Sequence, residues 1–116
     1  MREIKIGNKV IGENYPTFII AEAGCNHDCI LDRGKQLIIK ASENGADAIK
    51  FQTFKANKLV TKDVPRFWEQ NKQGTTQISL YETQDDLTKE EYLELVDLCK
   101  KKNIIFLSTP FDEDSV

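Results

Sequence analysis

The sequence reads as an α/β protein: βα units around a parallel sheet, introduced by a short β-hairpin. Three observations carry that reading. Short β-branched and aromatic runs of strand length alternate with segments whose apolar residues recur every 3.6 positions. Turn and cap residues fall between them, where each element has to stop. Alternation of strand and helix in turn implies parallel strands joined by right-handed crossovers.

Residues 2–12 alternate around Gly7 and Asn8, with Ile4, Ile6, Val10 and Ile11 as the apolar positions, which predicts a hairpin. Asn14, Tyr15 and Pro16 end it. Residues 17–21 form the first buried strand, bounded by Pro16 and Gly24 and ending at Glu22. A helix follows over residues 31–44: Leu31, Leu37, Ile38 and Ala41 keep its period, Asp32 lies in the first turn and Gly45 stops it. Residues 48–52 make the second strand. The long stretch after it is of the kind that is functional or carries small elements of its own, and residues 66–72 are expected to form a helical turn. Thr88 and Glu91 stand at capping-box spacing, Leu87 can staple onto Tyr92, and the helix runs through Leu95, Val96 and Cys99 to Lys100, Lys101 and Lys102. Asn103 caps it, and residues 104–107 make the third strand. A doubly wound sheet and a (β/α)8 barrel both begin in this way. The barrel takes about 250 residues, of which this chain would supply the first three units.

The 116 residues are 40% hydrophobic and 30% charged, the composition of one globular segment rather than several domains or a disordered chain. The formal charge of -3 comes with both signs scattered, which leaves no polybasic surface for nucleic acid or an anionic membrane. No apolar run approaches the ~20 residues of a membrane span. The opening residues have no signal-peptide core, and the three cysteines fit reduced thiols, so a cytoplasmic protein is expected. Small molecules are the expected partners.

In the second strand, alternation sets Ile49 and Phe51 on the face toward the helices and Lys50 and Gln52 on the other. An ammonium inside a sheet or barrel needs an anion, supplied by a ligand or by a carboxylate on a neighbouring strand. Glu22 ends the first strand, and Ser108 and Thr109 end the third; in α/β folds the carboxyl ends of the strands host the ligand. Glu22 can equally pair with Lys50, and the two hydroxyls can simply shape a turn before Pro110. Cys25, His27 and Cys29 invite a zinc reading. The chain offers no fourth ligand in a matching pair, because Cys99 belongs to a helix face, so Asn26 and His27 are read as shaping the first βα loop or contacting substrate. Phe67, Trp68 and Tyr81 in the long stretch are either a lid or its own packing.

Four segments, residues 18–27 (FIIAEAGCNH), 45–54 (GADAIKFQTF, followed by Lys55 and Ala56), 59–62 (LVTK) and 105–111 (IFLSTPF), resemble the N-acetylneuraminate synthase family. That family includes the legionaminic and pseudaminic acid synthases. Their combination, in order along nearly the whole chain, is specific, and the family is longer, so the resemblance covers its N-terminal third. It implies a (β/α)8 barrel that condenses phosphoenolpyruvate with N-acetylmannosamine or a related N-acylated aminosugar, releasing phosphate. By that resemblance Lys50 binds the carboxylate or phosphate of phosphoenolpyruvate, Thr109 with Ser108 its phosphate or carboxylate, and Gln52 and Glu22 the aminosugar; Glu22 and Lys50 are the catalytic pair.

The resemblance also implies a divalent metal, manganese or magnesium, acting as a Lewis acid. Its histidine ligands, a second phosphate-contacting lysine and a C-terminal antifreeze-like domain lie beyond the matched third, and none of the residues of this chain is expected to bind the metal. Residues 1–116 then form the N-terminal part of a barrel domain whose full-length form is a homodimer. The family commonly has Asn-Gly after the histidine of its first loop, where this chain has Asp28-Cys29. The competing reading is a non-catalytic α/β fragment or a module that binds a phosphorylated ligand.

Overall fold

The structure, a computed structural model, describes residues 2–65, 76–82, 84 and 87–116. Strands β1 (Ile4–Ile6) and β2 (Lys9–Ile11) pair antiparallel across the Gly7-Asn8 turn. Lys9 Nζ meets Asp47 Oδ1 at 2.8 Å, and the other oxygen of Asp47 accepts the Ile19 N–H at 2.9 Å. One carboxylate thus ties the hairpin to the edge of the main sheet, and the Lys9 contact followed by the Ile19 N–H holds its pKa below the ordinary value.

The main sheet is parallel, in the order β3 (Ile20–Gly24), β4 (Ala48–Thr53), β5 (Ile105–Pro110). The first strand starts three residues later than the β-branched run suggests. The ladder begins where Ile20 finds Ala48, and before that the Ile19 carbonyl accepts the N–H groups of Asp47 and Ala48. It also runs past Glu22 to Gly24, with a register shift between Glu22 and Gly24. β5 is displaced in the same sense, pairing from Ile105 through Pro110 rather than over 104–107.

Helix α1 (Leu31–Glu43) and helix α4 (Lys89–Lys101) cover one face of this sheet. They approach closely because Gly34 has no side chain: a Cβ there would stand 3.1 Å from Leu95 Cδ2. α4 opens with the expected capping box, Thr88 Oγ1 accepting from Glu91 N and Glu91 Oε2 accepting from Thr88 N. Ile38, Ile49, Phe51, Leu87, Leu95, Cys99 and Ile104 fill the space between helices and sheet, with Phe106 stacked on Phe51 at 5.5 Å. Among the described residues between β4 and α4 are two short helices, α2 (Ala56–Leu59) and α3 (Gln77–Glu82), where Tyr81 packs edge-on against Phe54. The turn expected over 66–72 lies outside the described residues, as do Phe67 and Trp68. Among the described residues no helix is long and apolar enough to cross a membrane. Hairpin, three parallel strands and intervening helices are the opening of a (β/α)8 barrel.

Candidate functional site at the strand ends

The two faces of β4 differ as alternation demands. Ile49 and Phe51 are buried under the helices, while Lys50 and Gln52 point to the opposite, open face. Register then decides which neighbours share that face, because side-by-side residues of a parallel pair point the same way. Glu22 lies beside Lys50, Lys50 beside Leu107, and Gln52 beside Thr109.

Lys50 Nζ is 2.5 Å from Glu22 Oε2 and 3.3 Å from Thr109 Oγ1. The other oxygen of Glu22 accepts the Gly24 N–H at 3.1 Å. Of the two readings of the interior lysine, the ion pair across adjacent strands is therefore formed. An ammonium has three donors, and the third N–H of Lys50 has no partner among the described residues. The result is a polar chain across three strands, Glu22 to Lys50 to Thr109, ending in a donor directed at whatever occupies the open face.

Ser108 does not join it. Consecutive strand residues face opposite ways, and Ser108 stands beside Phe51 in register, on the helix side, where its hydroxyl is 2.6 Å from Thr53 Oγ1. Parity thus sets the side chains of Ser108 and Thr109, expected together on one ligand, on opposite faces of the sheet. His27 is also on the helix side: it is wholly buried, its ring centroid is 6.0 Å from that of Phe51, and its Nδ1 accepts the Cys29 N–H at 3.0 Å. Its Nε2 has no hydrogen-bond partner among the described residues, and burial lowers its pKa against the opposing pull of Asp28. It shapes the loop rather than standing with Lys50. Asn26 is exposed in the same loop, its N–H closing a turn onto the Ala23 carbonyl.

One residue reaches the open face that alternation would have kept from it. Counting by twos from Glu22 sends Cys25 toward the helices, yet its Sγ lies 3.4 Å from Gln52 Oε1. The register shift inserts Ala23 as an extra residue, with Gly24 at φ +52°, and so reverses the parity of the residues after it. A glycine after a strand run was the sequence signal for such a bulge.

The donors present do not suit a divalent cation. Glu22 is engaged by Lys50 and Gly24, the single histidine is buried on the far side, and no group of three or more His, Cys, Asp or Glu that could hold a metal ion occurs among the described residues. Manganese or magnesium would find no cage in them.

The chain is similar to known proteins along nearly its whole length. Residues 37–116 match the NeuB family. The chain is 43% identical over 99% of its length to the spore coat polysaccharide biosynthesis protein SpsE of Bacillus subtilis, spanning 31% of that protein. It is 42% identical over 95% of its length to the N,N'-diacetyllegionaminic acid synthase of Legionella pneumophila, spanning 32% of it. Among solved structures, the N-acetylneuraminic acid (sialic acid) synthetase of Leptospira borgpetersenii, in complex with citrate, superposes with a TM-score of 0.78 at 38% identity, over 98% of this chain and 36% of that one. The chain thus spans about a third of the length of these proteins.

Proposed function

The chain belongs to the NeuB family, and on that premise we propose that it is the N-terminal part, three βα units, of a (β/α)8 catalytic domain. The whole enzyme is a transferase that condenses phosphoenolpyruvate with an N-acylated aminosugar aldehyde, such as N-acetylmannosamine, adds water and releases phosphate, giving a nonulosonic acid. The observation that carries the reading is the Glu22, Lys50, Thr109 chain at the carboxyl ends of the strands, with one ammonium N–H unclaimed among the described residues.

An anionic substrate suits that donor. The carboxylate or phosphate of phosphoenolpyruvate receives the free N–H of Lys50, with the Thr109 hydroxyl alongside, and a charge-assisted contact in a site closed to water stabilises charge on the departing phosphate. Glu22 holds the ammonium in place from the neighbouring strand. Glu22 and Gln52 face the aminosugar, which carries no net negative charge to be repelled by a carboxylate. A divalent cation supplies Lewis-acid polarisation in this chemistry, and none of the groups at these strand ends would hold it. The remainder of the barrel, the antifreeze-like domain, a homodimeric state and a cytoplasmic location complete the proposal.

The test is phosphate release by the full-length protein from phosphoenolpyruvate with N-acetylmannosamine and with bacillosamine-type sugars. Turnover with one of them is expected, and Lys50→Ala should lower kcat/KM for phosphoenolpyruvate by about tenfold to a hundredfold. No turnover with any sugar, together with binding of a phosphorylated ligand, would replace the synthase by a binding module.

A further inference from the structure

Cys25 enters the open face through the bulge at Ala23 and Gly24, and its thiol meets the side chain of Gln52. We infer that Cys25 is a positioning residue, whose S–H donates to Gln52 Oε1 and so presents the two N–H donors of the amide to the ligand, selecting one that offers a carbonyl or hydroxyl oxygen there. The inference rests on the proposed synthase reading, in which Gln52 meets the aminosugar.

A glutamine amide is nearly symmetric in shape and opposite in function at its two ends, so something has to choose which end faces the substrate. Glu22 gives its two oxygens to Lys50 and the Gly24 N–H, and two of the three Lys50 donors go to Glu22 and Thr109. The side-chain contact that Gln52 makes among the described residues is with the thiol, at the oxygen end, while Gln52 Nε2 has no partner there. Chemistry keeps the thiol a donor. Burial first, then the fields of Cys29 and Glu22, push its pKa up to about 11, so near neutral pH it carries its proton. A thiolate would accept from the amide and turn its N–H groups away from the substrate.

The experiment compares Cys25→Val, which removes the donor and adds about one methyl group, with Cys25→Ser, which keeps a donor, in the full-length synthase. Cys25→Val should raise KM for the aminosugar by about fivefold to tenfold and leave KM for phosphoenolpyruvate within about twofold, and Cys25→Ser should recover most of the loss. Equal damage from both variants, or a parallel rise in both KM values, would make Cys25 a packing residue and overturn the inference. A second readout needs no turnover: the infrared S–H band of Cys25, assigned by its loss in Cys25→Ser, should move to higher frequency in Gln52→Met, and an unmoved band overturns the contact. A shifted band in a protein that turns over no aminosugar would sustain the contact while the synthase reading falls.

Discussion

Glu22 is where the chemistry of the site divides. Its carboxylate spans a lysine on β4 and a backbone amide two residues ahead, so its removal and its neutralisation test different things. Glu22→Gln keeps the shape and one acceptor but gives up the ion pair. Its side chain is half exposed, so the pair contributes little to stability. The effect should fall on catalysis: KM for the aminosugar rises more than KM for phosphoenolpyruvate, since the freed ammonium still meets the anion. Separate titrations of the two substrates check this, and an intact sugar response with a lost phosphoenolpyruvate response would move Glu22 to the other substrate. His27 makes a different prediction. Its folded-state pKa lies below 6.5, so above that pH both folded and unfolded states hold it neutral and the fold is at full strength. As pH falls through 6.5 the unfolded chain takes up a proton that the folded chain resists, and stability drops until the folded pKa is passed. Protonation of Nδ1 would also remove the acceptor of the Cys29 N–H. Urea midpoints should therefore fall between about pH 7.5 and about pH 5, a range above the carboxylates, and His27→Gln should flatten that dependence; an equal slope in the variant would clear His27 of the effect.

The first βα loop and the start of α4 show what an element needs at its ends. Asp28 and Cys29 both lie in the left-handed region, at φ +47° and +56°, at the position where the resembling family commonly has Asn-Gly. A side chain in that region carries a steric penalty that glycine avoids, partly offset by the greater freedom of glycine in the unfolded chain. Cys29→Gly should then stabilise by about 0.5–1 kcal/mol in urea unfolding; a loss would show that the half-buried thiol holds more through its contacts than the backbone gives up. At α4, Thr88→Ala removes the hydroxyl that accepts the Glu91 N–H, leaves the Thr88 N–H bond to Glu91 in place, and should destabilise by about 1 kcal/mol. These ends also separate the legible from the hidden. The faces of β4, the cap of α4 and the course of α1 are legible in period and polarity, because Ile49, Lys50, Phe51 and Gln52 differ sharply in their need for water. The bulge is hidden: Ala21, Ala23 and Gly24 are all small and carry no contrast that fixes their face, so only pairing with β4 shows the shift. α2 and α3, at four and six residues, are too short for a helical period to register. The separation of Ser108 from Thr109 is legible too, since strict alternation sends neighbouring strand residues to opposite faces.

At the scale of the molecule, helices cover one face of the sheet, and among the described residues none covers the other. Ile49 under the helices is 1% exposed, while Ile20, on β3, is 45% exposed and Ile19 just before it is 53%. β3 and β5 are the outer strands of the three, each presenting one side without a ladder partner among the described residues. Such edges recruit further strands, and a closed barrel removes them by joining first strand to last. The polar chain of Glu22, Lys50 and Thr109 shares the bare face, so in a polypeptide of these 116 residues it stands in water, where its charges are screened and its contacts weaken. The exposed edges and apolar residues of that isolated polypeptide should drive association at about 100 µM, read by light scattering. Its helix and strand content by circular dichroism should match the elements described, yet it should release no phosphate from phosphoenolpyruvate and an aminosugar, because a bare face cannot exclude water from the reacting groups. A stable monomer that turns over substrate would show that three strands suffice to shelter the site, and would break the link between closure of the sheet and catalysis.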